Sequence, residues 1–170
     1  MKIIIPIAGP DYFSKNLVKG LKKTSNGPLL KNVLTSRPWF NQIESENYIF
    51  IMQDNEKSRN FYNSHIKSWL PKAKAIFLSN ITKGAAISAM MGIGYCIEEK
   101  QSPFILDLAD IKFESKYVNF NKIFKEKNTD VFIYSFKNSK NFYSYAKLDN
   151  EGNVSKIEEK NVISNNAITG

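Results

Sequence analysis

The stretch Ser102–Ile111, with the sequence SPFILDLADI, says most about the fold of this chain. An apolar run of strand length carries two carboxylates, Asp107 and Asp110, at its C-terminal end. In an open α/β sheet that end of a strand borders the crevice in which ligands bind. Two acids on an otherwise buried strand are costly unless a cation or hydrogen bonds compensate them. We expect either a hard cation such as Mg²⁺ at this edge or, alternatively, Asp107 capping the next turn with Asp110 solvated.

Length and composition indicate one folded domain over residues 1–170. The chain is 42% apolar and 13% aromatic, which is typical of a globular protein rather than a disordered one. Its net charge of +8 comes almost entirely from lysine, because Arg37 and Arg59 are the only arginines. Specific base recognition relies on arginine, so we do not expect nucleic-acid binding. A positive surface still attracts phosphorylated small molecules.

Cysteine content and hydropathy indicate the cellular compartment in which the protein is expected. Cys96 is the only cysteine, so an internal disulfide is excluded, and a packed thiol in an apolar helix is expected. The apolar N-terminus is too short for a signal peptide, and no apolar run approaches membrane-spanning length. We expect a soluble cytoplasmic protein without membrane insertion.

Hydrophobic periodicity predicts alternating strands and helices in the first two thirds of the chain. The predicted strands are 2–8, 48–52, 75–78, the acid-bearing run within 102–111, 130–136, 142–148 and 153–159. The predicted helices are 28–35, 54–69 with Asp54 as the cap, and 83–98. Asp149 to Gly152 is typical of a hairpin turn. This order predicts a three-layer α/β/α Rossmann-like sheet, mostly parallel, with a late antiparallel hairpin.

Several short motifs follow one another in a fixed order. Met1–Gly9 has the pattern of an opening strand and the start of a glycine-rich loop. Leu21–Leu30, LKKTSNGPLL, is similar to a Lys-Pro-Leu and Gly-x-Pro-Leu segment, and Lys83–Ala86 to a turn that enters a helix. Together with Asp110, these motifs resemble the sugar-phosphate nucleotidyltransferases over nearly the whole chain. The resemblance implies the nucleotide-diphospho-sugar transferase fold.

The resemblance also implies roles for particular residues. Lys22 falls at the catalytic lysine position, with Lys23 as the alternative because the proline that fixes the family's alignment is absent. Asp110 falls at the first metal-binding aspartate, which implies Mg²⁺ as cofactor and a catalytic role. The implied nucleotide-binding residues are Ala8, Gly9, Gly84 and Ala85. The implied substrate-binding residues are Ser144, Glu159, Lys160 and Gly170.

The chain departs from the family pattern in three places. The first loop runs Gly9-Pro10-Asp11-Tyr12-Phe13, without the family's second glycine and arginine, and Ser144 replaces a glycine. The sequence stops at Gly170, where family members continue and supply a second metal-binding aspartate. We therefore expect a single nucleotidyltransferase-like domain that lacks part of the family's C-terminal region.

The implied reaction joins a nucleoside triphosphate to a sugar 1-phosphate, or a similar phosphorylated metabolite, with release of pyrophosphate for surface-polysaccharide precursors. The nucleophile is already ionised, so a chain whose one histidine is His65 needs no strong general base. Two alternatives stay open. One is a nucleotide-sugar-dependent glycosyltransferase of related fold, with Asp107 and Asp110 as its metal motif. The other is a catalytically silent nucleotide-binding domain. The sequence also leaves the oligomeric state open, and a homo-oligomer is one of the alternatives.

Overall fold

The computed structural model describes residues 1–14, 17–96, 103–115 and 131–169. Contacts between Cα atoms divide the chain into a first unit, Met1–Val118, and a second unit, Asn119–Gly170. The expectation that residues 1–170 form one domain stays a prediction.

The described part of the first unit contains strands, α-helices and short helical turns. Its strands are β1 (Lys2–Pro6), β2 (Phe13–Ser14), β3 (Leu17–Val18), β4 (Lys23–Thr24), β5 (Gly27–Pro28), β6 (Tyr48–Gln53), β7 (Lys74–Leu78) and β8 (Phe104–Leu106). Its α-helices are α1 (Leu29–Thr35), α2 (Glu56–Phe61), α3 (Lys67–Trp69) and α4 (Ala85–Tyr95). A π-helical turn (Tyr62–Ile66) joins α2 to α3, and 3₁₀ turns cover Lys19–Leu21 and Ser45–Asn47.

Four parallel strands form the sheet of the first unit in the order β7-β6-β1-β8. β1 and β6 are continuous apolar runs and are almost wholly buried, which is the pattern of strands covered on both faces. On one face, Ile4, Ile49 and Ile51 pack with Ala89 of α4. On the other face the Tyr48 ring meets Phe40, which follows α1, at 6.3 Å between ring centroids. The predicted three-layer arrangement around a parallel sheet is confirmed.

The predicted helix 54–69 is confirmed, but its predicted cap is wrong. Asn55 is the N-cap, and its side chain accepts a hydrogen bond from the Ser58 amide at 3.0 Å. Asp54 instead accepts from Arg59 Nε at 2.7 Å, so its carboxylate is engaged beside the helix start. His65 lies in the π turn with its ring 5.7 Å from Phe61. The histidine is thus part of an aromatic row along this helix.

The second unit is a four-stranded antiparallel sheet in the order β11-β10-β12-β9. Its strands are β9 (Ser135–Lys137), β10 (Ser144–Leu148), β11 (Val154–Glu159) and β12 (Asn166–Ile168). The predicted hairpin turn is confirmed: the Asp149 carboxylate accepts the Glu151 and Asn153 amides at 2.9 and 2.8 Å, and Gly152 has φ 86°. The late antiparallel part of the fold prediction is therefore confirmed.

Some predicted bounds fall outside the described residues, namely the end of the helix 83–98 and the start of the strand 130–136. Among the residues that the model does describe, no helix has both the length and the apolarity to cross a bilayer.

Candidate functional site

The register of β1 and β8 brings two predicted site segments to one edge of the parallel sheet. Ile4 pairs with Leu106, and the Asp107 amide continues the ladder by donating to the Ile4 carbonyl at 3.0 Å. Ala8 follows Ile4 by four residues, as Asp110 follows Leu106. Both segments therefore leave the carboxyl ends of neighbouring strands, where α/β sheets bind ligands.

Gln53 holds the segment that follows β1. Its Nε2 donates to the Ala8 carbonyl at 2.9 Å, while the Ile7 amide donates to the Ile51 carbonyl at 2.9 Å. Ala8 is buried, and Gly9 is exposed with no atom within 4 Å of the place where a Cβ would stand. A ligand can approach the backbone at Gly9 because no side chain covers it.

The predicted nucleobase turn opens α4. Gly84 has φ 117°, a left-handed value that suits glycine, and is the N-cap residue without a side-chain cap. The buried Ser88 hydroxyl bonds Thr82 Oγ1 at 2.5 Å, which ties the turn to the first helical turn. The first amides of a helix have no intrahelical acceptor. Those at Ala85 and after it are available to a polar ligand.

Lys22 and Lys23 both lie on the surface of the first unit. The Lys22 amide donates to the Lys19 carbonyl at 3.1 Å, and its own carbonyl accepts from Leu29 at 2.9 Å. Within the part of the chain that the model describes, neither ammonium group has an ion-pair partner. Which of the two is the catalytic lysine stays a prediction, because both are exposed.

The turn that carries Lys22 is tightly packed at Gly20. A Cβ there would stand 2.5 Å from the Tyr12 hydroxyl and 2.9 Å from the Phe61 ring. Any larger residue would force these two side chains to shift, so glycine suits this position. The position of the lysine turn is consequently set by packing against Tyr12 and Phe61.

The two acids after β8 have opposite environments. Asp107 is 1% exposed and pairs with Arg37, Nε to Oδ2 and Nη2 to Oδ1, both at 2.8 Å. Its Oδ1 also accepts the Ala109 amide at 2.9 Å, so the expected capping of the next turn is confirmed. The cation that compensates this acid is therefore a guanidinium. Burial and, secondarily, the charge of Asp107 raise the pKa of the Tyr48 hydroxyl.

Asp110 is exposed, and no ion pair engages it among the residues described. The described residues also contain no group of three or more His, Cys, Asp or Glu side chains that could hold a metal ion. Mg²⁺ is commonly held by one or two carboxylates together with substrate phosphates rather than by a protein cage. An exposed aspartate at the ligand-binding edge fits that mode, whereas Asp107 does not.

The predicted sugar-binding residues belong to the second unit. Ser144 pairs with Glu159 across the β10–β11 hairpin, and the Lys160 amide donates to the Tyr143 carbonyl at 3.0 Å. Lys160 Nζ lies 3.3 Å from Glu159 Oε1, in an ion pair whose side chains are 69% and 73% exposed. The structure thus brings Ser144, Glu159 and Lys160 together at one end of the hairpin. Gly170 lies outside the described residues.

Sequence reasoning missed two side chains that hold the site segments, Gln53 and Arg37. Gln53 is the polar end of an apolar strand, a position that faces the binding edge. Arg37 is one of only two arginines in a lysine-rich chain. That rarity was the one available signal, because arginine suits a bidentate pair and lysine does not.

Comparison with known proteins yields structural matches only. No family model matches the chain, and no curated protein sequence matches it. A nucleoside-diphosphate-sugar pyrophosphorylase from Vibrio cholerae RC9 matches with a TM-score of 0.75 and 17% identity, over 100% of this chain and 71% of that one. A protein designated a glucose-1-phosphate thymidylyltransferase from Bacillus anthracis, in complex with sucrose, matches with a TM-score of 0.70 and 16% identity. That match covers 99% of this chain and 69% of the other.

Both matches span the parallel sheet and the antiparallel sheet. Matches at 17% and 16% sequence identity establish the fold of this chain and no more. The chain has the α/β fold of the sugar nucleotidyltransferases.

Proposed function

We propose that this chain is a Mg²⁺-dependent sugar-phosphate nucleotidyltransferase. A phosphate oxygen of the sugar 1-phosphate attacks the α-phosphorus of a nucleoside triphosphate, the bond from that phosphorus to the bridging oxygen breaks, and pyrophosphate leaves. One observation carries the proposal. In a fold shared over this whole chain with two proteins named for this chemistry, Gly9 and Asp110 follow the carboxyl ends of the paired strands β1 and β8, which supports a site there.

The residues of the first unit have distinct tasks in this proposal. The open backbone at Gly9 and the helix start at Gly84 and Ala85 bind the nucleotide, where small residues permit close approach. Lys22 complements the charge that develops on the phosphoryl oxygens. Asp110 holds Mg²⁺, which supplies charge neutralisation when bound. Positioning and electrostatics are sufficient because phosphoryl transfer requires little proton chemistry here.

The second unit supplies the sugar contacts in this proposal. Glu159 accepts from sugar hydroxyls and Lys160 binds the sugar phosphate, with Ser144 beside them in the hairpin. Their mutual ion pair is exposed and worth only about 0–1 kcal/mol, so it exchanges readily for substrate contacts. We assign the product to surface-polysaccharide synthesis on the family resemblance, and a cytoplasmic location because nucleoside triphosphates are made there.

A binding screen and a turnover assay test the proposal together. Each of the four ribonucleoside triphosphates and dTTP is added with and without Mg²⁺, and the melting temperature is recorded. Pyrophosphate release is then measured with glucose 1-phosphate and other sugar 1-phosphates. We expect one nucleotide to raise the melting temperature only with Mg²⁺ and to support pyrophosphate release. Stabilisation without turnover would favour the silent nucleotide-binding domain instead.

Asp110→Asn tests the metal role directly. We expect it to abolish Mg²⁺-dependent pyrophosphate release and to leave the melting temperature unchanged, because the side chain is exposed. Glu44→Gln is the matched control. It also removes one exposed negative charge, but Glu44 precedes the amino end of β6, whereas Asp110 follows the carboxyl end of β8. Full turnover by Asp110→Asn would refute the proposal.

Lysine variants decide the alignment of the catalytic residue. Lys22→Ala is expected to lower turnover by about 10²- to 10³-fold, in line with loss of one preorganised charge at the reacting phosphate. Lys31→Ala, on the exposed face of α1, is the control and should be neutral. If Lys23→Ala has the large effect and Lys22→Ala does not, the catalytic lysine is Lys23.

A further inference from the structure

We propose that Arg37 is the positioning residue of Asp110: its guanidinium sets the path of the loop that presents this carboxylate at the sheet edge. The inference rests on the proposed role of Asp110 in holding Mg²⁺. Arg37 follows α1, far from Asp110 in sequence, and is itself 3% exposed.

The first anchor lies before Asp110 in the chain. Arg37 Nε and Nη2 donate to the two carboxylate oxygens of Asp107 at 2.8 Å each, and both side chains are 1% exposed. This bidentate geometry restricts orientation as well as distance. It therefore fixes the chain three residues ahead of Asp110.

The second anchor lies after Asp110. Arg37 Nη1 donates to the Ile111 carbonyl at 2.9 Å, and the guanidinium carbon stands 4.2 Å from the centre of the Phe113 ring. Phe113 in turn meets the buried Trp39 ring at 6.1 Å between centroids. One planar group thus holds the loop on both sides of Asp110.

Between the anchors the backbone takes a left-handed turn at a residue that is not glycine. Ala109 has φ 54° and is 6% exposed, and its amide donates to Asp107 Oδ1 at 2.9 Å. Such a conformation is strained for a residue with a Cβ and persists only where its surroundings enforce it. The Arg37–Asp107 pair supplies that enforcement.

A buried ion pair is a weak source of stability, because desolvation of the two charges offsets their attraction. Proteins in which apolar residues of similar volume replace such a pair are often equally stable. The pair is therefore better explained by the loop conformation that it specifies than by the free energy of unfolding. Removal of both partners should loosen the loop without unfolding the first unit.

The test compares the affinities of three variants for the Mn²⁺–tripolyphosphate complex, a probe that carries no nucleobase. Binding is measured by electron paramagnetic resonance of the Mn²⁺. Asp110→Asn removes the proposed ligand. The double variant Arg37→Met/Asp107→Leu removes the pair and fills its volume with apolar atoms. Arg37→Lys keeps a positive charge near Asp107 and cannot also reach the Ile111 carbonyl with a planar fork.

We expect the double variant and Arg37→Lys to bind the probe at least about 10-fold more weakly than the unmodified chain, the size of effect seen when groups that orient metal ligands are lost. The melting temperature of the double variant should stay within a few degrees of the original. A purely structural role predicts the reverse, with lower stability and unchanged probe affinity.

The outcomes separate the two proposals. If Asp110→Asn weakens binding and the two Arg37 variants do not, the positioning role is overturned and the proposed function stands. If Asp110→Asn leaves probe binding unchanged, the proposed function is wrong. This inference is then wrong as well, because it rests on the metal-binding role of Asp110. Should the double variant not fold, probe affinity of Arg37→Lys decides alone.

Discussion

The two sheets of this chain differ in how they are stabilised. Ile3, Ile4, Phe50 and Ile51 of the parallel sheet are fully buried, since helices and connecting segments cover both faces. In the antiparallel sheet the buried residues lie on the two central strands, whereas Ile157 of β11 is 52% exposed. The residues that we propose to bind the nucleotide are thus attached to a closely packed sheet, whereas Glu159 and Lys160 belong to a hairpin held mainly by its ladder and turn.

The largest expected effect is on the parallel sheet. Ile51→Ala should lower the free energy of unfolding by about 3–4 kcal/mol, because it removes a fully buried side chain that packs against Ala89 of α4. Both tryptophans, Trp39 and Trp69, belong to the first unit, so fluorescence-monitored denaturation in urea reports on this sheet.

Ile157→Ala is the matched comparison in the antiparallel sheet. Because this side chain is half exposed, its loss should change stability by about 0.5 kcal/mol or less, as surface substitutions do. Equal losses for the two isoleucines would show that the two sheets are packed alike.

How far the sequence predicts this molecule depends on whether the signal is local. The strands β1 and β6 are recognisable because each is a continuous apolar run. The helix from Glu56 is recognisable because capping side chains precede it, although the cap is Asn55 and not Asp54. The Arg37–Asp107 pair joins residues 70 positions apart, and no periodicity reports such a contact. The ion pair that engages Asp107 is therefore visible only in the tertiary structure.

The candidate site likewise contains features that local sequence signals predict and features that depend on tertiary structure. Gly9 and Asp110 follow the strands β1 and β8 and Gly84 precedes α4, as the motif order predicts, because these positions are properties of the elements themselves, while their binding roles stay predictions. The choice between Lys22 and Lys23 depends on which ammonium group faces the phosphates, and neighbouring exposed lysines carry no pattern that distinguishes them.

An effect smaller than that of Ile51→Ala is expected at Lys160, the left-handed residue that follows β11. Lys160 has φ 55°, nearly that of Ala109, but it is exposed. Lys160→Gly should stabilise the hairpin by up to about 1 kcal/mol, because glycine adopts this conformation without a Cβ clash. Hydrogen exchange of the β10–β11 amides, followed by mass spectrometry, should slow. Faster exchange would mean that the side-chain contact with Glu159 outweighs the backbone strain.

The smallest effect is confined to acid and concerns the hairpin turn. The amide of Asn153, and then those of Glu151 and Gly152, hold the pKa of the Asp149 carboxyl below its usual value of 3.8. A carboxyl with a lowered pKa in the folded state contributes stability above its unfolded pKa, and that contribution disappears as the pH falls through the folded value.

Asp149→Asn removes this titration while an amide oxygen can still accept a turn hydrogen bond. The difference in melting temperature between the original chain and the variant should therefore be constant at neutral pH and shrink as the pH falls below about 4. Asp11→Asn is the control, because it changes one exposed acid outside the second unit. A difference that persists unchanged into that range would show that the turn depends on the shape of the side chain and not on its charge.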